Sequence, residues 1–197
     1  MSERNKNIVL SLLAFLLFLI PYIYISIYNN PSSDDYRFSY YTSTLGFWEA
    51  QINWYTTWIG RYFSTFILSL HPLLIKSMLL YKVVPIILIF LSVHSIYNFI
   101  NTLIKTKTIA FFLAIYLMFY YLTNMPSLVQ GIYWMPGSIT YHLPNILFLY
   151  LITNFIKEFF YYEITKYNPI INAALIVAII GSNETSMVQL VFFIVLV

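Results

Sequence analysis

Long apolar runs separated by short polar stretches organise this chain. A helix that crosses a bilayer needs about 20 mostly apolar residues, because each residue rises about 1.5 Å across a hydrocarbon core of about 30 Å. By that measure residues 8–28 form a first span, preceded by the short tail Ser2-Glu3-Arg4-Asn5-Lys6 and kinked at Pro21. The run is too long for a signal peptide, and no small-residue cleavage site follows it. A polar, aromatic stretch then leads to residues 62–75, which are apolar but extend only about 21 Å if helical. That segment reads as re-entrant or interfacial, so residues 29–78 form an outer loop carrying interfacial helices. Further spans fall at about 79–101, 108–124, 143–161, 167–182 and 186–197, with a second outer loop over 124–142. The pattern predicts an all-α fold, a polytopic transmembrane helix bundle.

Composition makes lipid the solvent for much of this surface. Of 197 residues, 60% are hydrophobic and 9% charged, whereas a soluble domain carries about 25% charged residues. There is no cysteine, which excludes disulfides and thiolate chemistry. The net charge is +3 with no basic stripe, so nucleic acid is not an expected partner. Many of the 19 tyrosines and 17 phenylalanines suit interfacial belts.

Basic residues orient the chain. If residues 62–75 do not cross, Arg4, Lys6, Lys105, Lys107, Lys157 and Lys166 lie on one side and Arg37, Arg61, Lys76 and Lys82 on the other. The positive-inside rule then puts the amino terminus in the cytoplasm of a multi-pass plasma-membrane protein. The sequence stops inside the apolar run Val191–Val197 with no flanking anchor, which reads as the amino-terminal portion of a longer protein.

Seven acidic residues allow weighing one by one. Glu3 belongs to the tail, and Glu158 and Glu163 sit near Lys157 and Lys166 as ordinary solvated charges. Asp34 and Asp35, in Ser32-Ser33-Asp34-Asp35-Tyr36-Arg37, follow the first span directly. Ser and Asp are favoured where a helix begins, so the pair fits a helix cap. Two adjacent carboxylates also fit a general base or a metal ligand, since each raises the proton affinity of the other. Their loop continues through Trp48, Trp54 and Trp58 to Gly60-Arg61, aromatic faces that suit either a membrane-surface helix or stacking on a sugar ring. Arg61 could grip a phosphate with its planar fork or snorkel to lipid.

The second outer loop, with Pro126, Pro136, Pro144, Gly131 and Gly137, reads as irregular but shaped. Trp134, Tyr141 and His142 could line a cleft there, although a lone histidine is more often a structural hydrogen-bonder. Glu184, between two apolar runs, either caps a turn or is an acid at membrane depth, and such acids are functional candidates.

Four short runs carry a resemblance: Ser33-Asp34-Asp35-Tyr36, Trp58-Ile59-Gly60-Arg61, Trp134 to Tyr141, and Gly181-Ser182-Asn183-Glu184. With one span, an outer loop opening on an acidic pair, and many further spans, the chain resembles the GT-C superfamily of glycosyltransferases, nearest to a bacterial family of uncharacterised membrane proteins related to them. The resemblance implies a GT-C-like bundle that moves a sugar from a polyprenyl-phosphate carrier to a glycan, lipid or protein acceptor of the envelope on the outer face. It implies that Asp34 or Asp35 is the catalytic base or a group that positions the acceptor, Asp35 being slightly preferred, with Arg61 at the lipid phosphate. Glu184, Trp134, Tyr141, His142, Trp58 and Tyr36 complete the expected substrate-binding set. Some members of the superfamily need a metal and others do not, so a divalent metal on Asp34 and Asp35 is left open. Two other readings share these features without a base, a transporter or flippase of a lipid-linked sugar and a non-catalytic partner in envelope-glycan assembly.

Overall fold

The computed structural model describes residues 3–162 and 165–196. Glu163 and the side chains of Glu3 and Arg4, which entered the charge reading, lie outside what it describes. Among the described residues the fold is all-helical, with no strand. The helices are α1 (Glu3–Ile27), α2 (Asp34–Leu45), α3 (Phe47–Thr57), α4 (Tyr62–Leu68), α5 (Met78–Ile104), α6 (Lys107–Asn124), α7 (Met135–Gly137), α8 (Leu143–Tyr161), α9 (Asn168–Ile180) and α10 (Glu184–Leu196). A 3-10 turn, Pro72–Ile75, follows α4, and π-helical turns at Val129–Tyr133 and Ser138–His142 flank α7.

Three continuous helical stretches, Met78–Ile104, Lys107–Asn124 and Met135–Tyr161, are long and apolar enough to cross a membrane. Leu13–Ile27, Tyr62–Ile75, Asn168–Ile180 and Glu184–Leu196 are apolar but shorter. The helix expected from residue 143 therefore begins at Met135, inside the segment read from sequence as a loop. Prolines and glycines predicted irregularity there, but Pro136 falls in the first turn, where a missing N–H is harmless, and the π-turn at Ser138–His142 absorbs the disturbance before Pro144. Likewise α9, at 13 residues, spans about 20 Å and stops short of the expected 167–182.

α5 is the central helix, packed against α6, α8 and α1. Ser77 starts it by accepting a hydrogen bond from the Leu80 N–H at 3.2 Å. The inward stripe of α6 is Ala110, Ala114, Met118 and Leu122, one residue per helical turn and nearly inaccessible. Its two alanines let the α5 backbone approach closely. The opposite face exposes Ile109, Leu113, Tyr116, Leu117 and Phe119. Small residues inside and large apolar ones outside match an apolar surrounding rather than water.

The α2–α4 segment forms an aromatic layer that shares a core with Tyr81 and Leu88 of α5, Met135 of α7 and Ile146 of α8. Gly46, at φ +84°, joins α2 to α3 in a conformation that side chains rarely adopt. Phe38 and Trp54 then pack at 4.7 Å, and Trp54 and Trp58 at 5.0 Å between ring centres. Gln51 ties α3 to α4, donating to Ser69 Oγ at 2.6 Å and to the Thr65 carbonyl at 3.2 Å.

Candidate functional site

Asp34 and Asp35 are the first two residues of α2, and successive helical residues point about 100° apart. The core claims Asp35, which is fully buried. Its Oδ1 accepts from His71 Nε2–H at 2.9 Å, and its Oδ2 from the Tyr81 hydroxyl and the Ser32 backbone N–H, each at 2.8 Å. The His71 tautomer follows from its other nitrogen: Nδ1 accepts from the Leu73 N–H at 3.2 Å, so the proton sits on Nε2. A buried carboxylate with three donors and no solvent is a structural node. It pins the start of α2 to the 3-10 turn and to α5.

That geometry departs from the slight preference for Asp35 as a base. Asp34 is the partner left half-buried, and it lines a cleft of 220 Å³. The cleft also takes Trp58 and Arg61 from the α3–α4 turn, Ser64, Thr65 and Leu68 from α4, and Trp134, Pro136, Gly137, Thr140 and Tyr141 from the segment around α7. Ser33, just before Asp34, is held at φ +46°, a left-handed value that is costly for a residue with a side chain. The Asp35 bond to Ser32 N–H closes this turn and so fixes where Asp34 points.

Arg61 stands at the cleft edge. It donates from Nε and Nη2 to both oxygens of Glu184, at 2.7–3.2 Å, and from Nη1 to the Tyr141 hydroxyl at 3.4 Å. The guanidinium holds the Glu184 carboxyl below its ordinary range, chiefly through these hydrogen bonds, and Glu184 raises the proton affinity of Arg61 in return. With two faces of the fork taken, Nη1 beside Tyr141 is the edge that a ligand can use.

Helix ends and a proline bring Glu184 there. The Gly181 carbonyl accepts from the N–H groups of Phe63 and Ser64, at 2.8 and 3.2 Å, so the end of α9 caps the start of α4, which has no side-chain cap of its own. Ser64 Oγ also donates to the Ser182 carbonyl at 2.9 Å. One residue later, Asn183 Nδ2 donates to the Thr140 carbonyl at 2.6 Å. Thr140 is four residues before Pro144, whose nitrogen carries no hydrogen, so Asn183 supplies the donor that the helix lacks.

The other expected residues lie elsewhere. Tyr36 is exposed and off the cleft. His142 is buried, its ring between Ser92 Oγ at 2.8 Å and the Tyr121 hydroxyl at 3.1 Å. Ser92 Oγ donates to the Leu88 carbonyl, so His142 Nε2 donates to it and Nδ1 accepts from Tyr121, and both ring nitrogens are satisfied within the core. Sequence reading passed over Ser64 and Thr65; hydroxyls in an apolar helix were the available signal. It also missed that Arg37 stacks on Trp58, 4.0 Å from the ring centre. Among the described residues no three His, Cys, Asp or Glu side chains converge on a common point. Both Asp35 oxygens accept protein hydrogen bonds, whereas Asp34 lies on the cleft side.

A half-buried carboxylate, an arginine edge and aromatic walls can together take a proton from a hydroxyl, balance a nearby negative charge and stack on a flat apolar ring face. No family model, no curated protein and no solved structure matches this chain.

Proposed function

We propose that the chain belongs to a polytopic, GT-C-like membrane glycosyltransferase, and that the cleft around Asp34 and Arg61 is where a sugar leaves a polyprenyl-phosphate carrier. The observation that carries this reading is the convergence of Asp34, Arg61 and the Trp58, Trp134 and Tyr141 rings on one 220 Å³ cleft. That volume lies below the roughly 300–1,000 Å³ of drug-sized ligand sites and suits a group the size of one sugar ring.

In this reading Asp34 accepts the proton of the acceptor hydroxyl as its oxygen attacks the anomeric carbon. The bond from that carbon to the phosphate oxygen breaks, and the lipid phosphate departs with the electron pair. Arg61 Nη1, fixed by Glu184 and Tyr141, offsets the charge gathering on the phosphate. Asp35 acts as a positioning residue through Ser32 and Ser33. The helices Met78–Ile104, Lys107–Asn124 and Met135–Tyr161 supply the membrane anchorage, with the amino terminus cytoplasmic and the cleft outward.

The test is transfer of labelled sugar from a polyprenyl-phosphate donor in membranes carrying the full-length protein. Asp34→Asn should lower the rate about 100-fold or more, the usual worth of a general base, while membrane insertion persists. Unchanged transfer in Asp34→Asn sinks the mechanism. Movement of a lipid-linked sugar across the bilayer without transfer would establish the flippase reading instead.

A further inference from the structure

A second cavity, of 310 Å³, opens where the end of α5, the start of α6 and the end of α8 meet, lined by Asn98, Asn101, Thr102, Lys105, Lys107, Lys157 and Tyr161. It is remote from the cleft. Tyr81, beside the Asp35 node, and Lys105 are 24 positions apart on and just past α5, which is about 36 Å of helix. If α5 crosses a hydrocarbon core of about 30 Å, this cavity opens at headgroup depth on the other side.

Three lysines line one cavity whose lining includes no acid. Among the described residues none of them makes an ion pair, and Glu158, next to Lys157, is engaged elsewhere by Asn172 Nδ2 at 2.9 Å. Helix dipoles explain part of this, because Lys105 and Lys157 sit at or near helix carboxyl ends, where cations are favoured. They do not explain Lys107, the first residue of α6, where the dipole disfavours a cation. Thr106 makes no side-chain cap, so the first-turn N–H groups of α6 add further donors at the same place. Asn101 also lines the cavity, and its Oδ1 is buried and makes no hydrogen bond among the described residues. The two ends of an amide interchange by a flip of the side chain, so Asn101 can present either a donor or an acceptor.

We propose that this cavity is a phosphate-binding site, taking the phosphate of an anionic lipid headgroup or of a free phosphate ester. Three lysines match a compact anion with several oxygens and one or two charges, and Asn101 matches a phosphoryl oxygen or an adjoining hydroxyl. Lys105, which spans between α5 and α6 and lies 4.0 Å from the Tyr161 ring centre, ties the site to α8. The proposal stands independently of the reaction assigned to the cleft.

The chain has no cysteine, so Ile104→Cys, at an exposed position beside the cavity, carries a single environment-sensitive fluorophore. The full chain in phosphatidylcholine nanodiscs is titrated with inorganic phosphate in one arm, and with phosphatidylglycerol replacing phosphatidylcholine in the other. A saturable emission change is expected in at least one arm. A lipid-only response identifies the headgroup as source, a response to inorganic phosphate identifies the free ion, and either supports the site. Lys105→Gln/Lys107→Gln/Lys157→Gln should weaken it at least 10-fold, and Lys107→Gln alone about 3-fold or more, which serves if the triple variant loses helicity. Lys166→Gln, outside the cavity, should leave it unchanged. No saturable response in either arm, or equal weakening by Lys166→Gln, overturns the proposal.

Discussion

His71 donates its Nε2 proton to Asp35 Oδ1 at 2.9 Å, with both side chains sealed from solvent. This bond, between residues 36 positions apart in sequence, holds Asp35 in the core and leaves Asp34 on the cleft side. Asp35→Ala would strand the donors of His71, Tyr81 and Ser32, at about 1–3 kcal/mol for each unsatisfied group. Allowing for relaxation, the expected loss is about 3–5 kcal/mol, as for other broken buried pairs. Asp34→Ala, at a half-buried position whose side chain makes no hydrogen bond among the described residues, should stay within about 0.5 kcal/mol. Denaturant unfolding in detergent compares the two, and equal losses would contradict the assignment of roles.

Asn183 and Pro144 form a compensating pair through the Thr140 carbonyl. Asn183→Ala should cost about 1–3 kcal/mol, because a buried acceptor loses its donor. In a Pro144→Ala background the helix regains the N–H four residues on, so the same change should cost less. A double-mutant cycle measures the difference; strict additivity would show that Asn183 does not replace the missing helical donor.

Gly181 is a steric requirement. A Cβ at this position would overlap the Tyr62 ring, whose hydroxyl donates to the Val177 carbonyl at 2.8 Å. Gly181→Ala should destabilise by about 1–3 kcal/mol, as overpacking does. Tyr62→Ala in the same chain should recover part of that loss. Failure of the second change to help, read by thermal unfolding, would locate the strain elsewhere.

The Arg61–Glu184 pair predicts a pH dependence of known sign. The folded carboxyl titrates below the ordinary value of 4.5. Its contribution is therefore complete above about that pH and is lost as pH falls through the lower, folded value. The difference in melting temperature between the natural chain and Glu184→Gln should be constant from pH 8 to about 5 and shrink in more acid solution. A difference that grows on acidification would reverse the assignment. Because Glu184 is largely exposed, added salt should reduce the difference throughout.

Helical content and the apolar runs were legible because they depend on local composition: apolar stretches of sufficient length must be helical wherever water is excluded. Boundaries were less so. The start at Met135 depends on a π-turn and on Asn183, more than 40 residues away, serving the carbonyl that Pro144 leaves open.

The acidic pair marks the same division. The sequence alone placed Asp34 and Asp35 directly after the first apolar run, at the head of an aromatic stretch that leads to Arg61, and left both a helix cap and a base as readings of the pair. It did not determine which carboxylate faces a cleft, because two neighbours on a helix differ only in direction, and direction has meaning only against what surrounds them. His71 and Tyr81 supply donors on one side, whereas Arg61, Trp134 and Tyr141 leave space on the other. Only tertiary packing brings those groups to α2, since a buried charge must be surrounded by donors and a ligand must be left room.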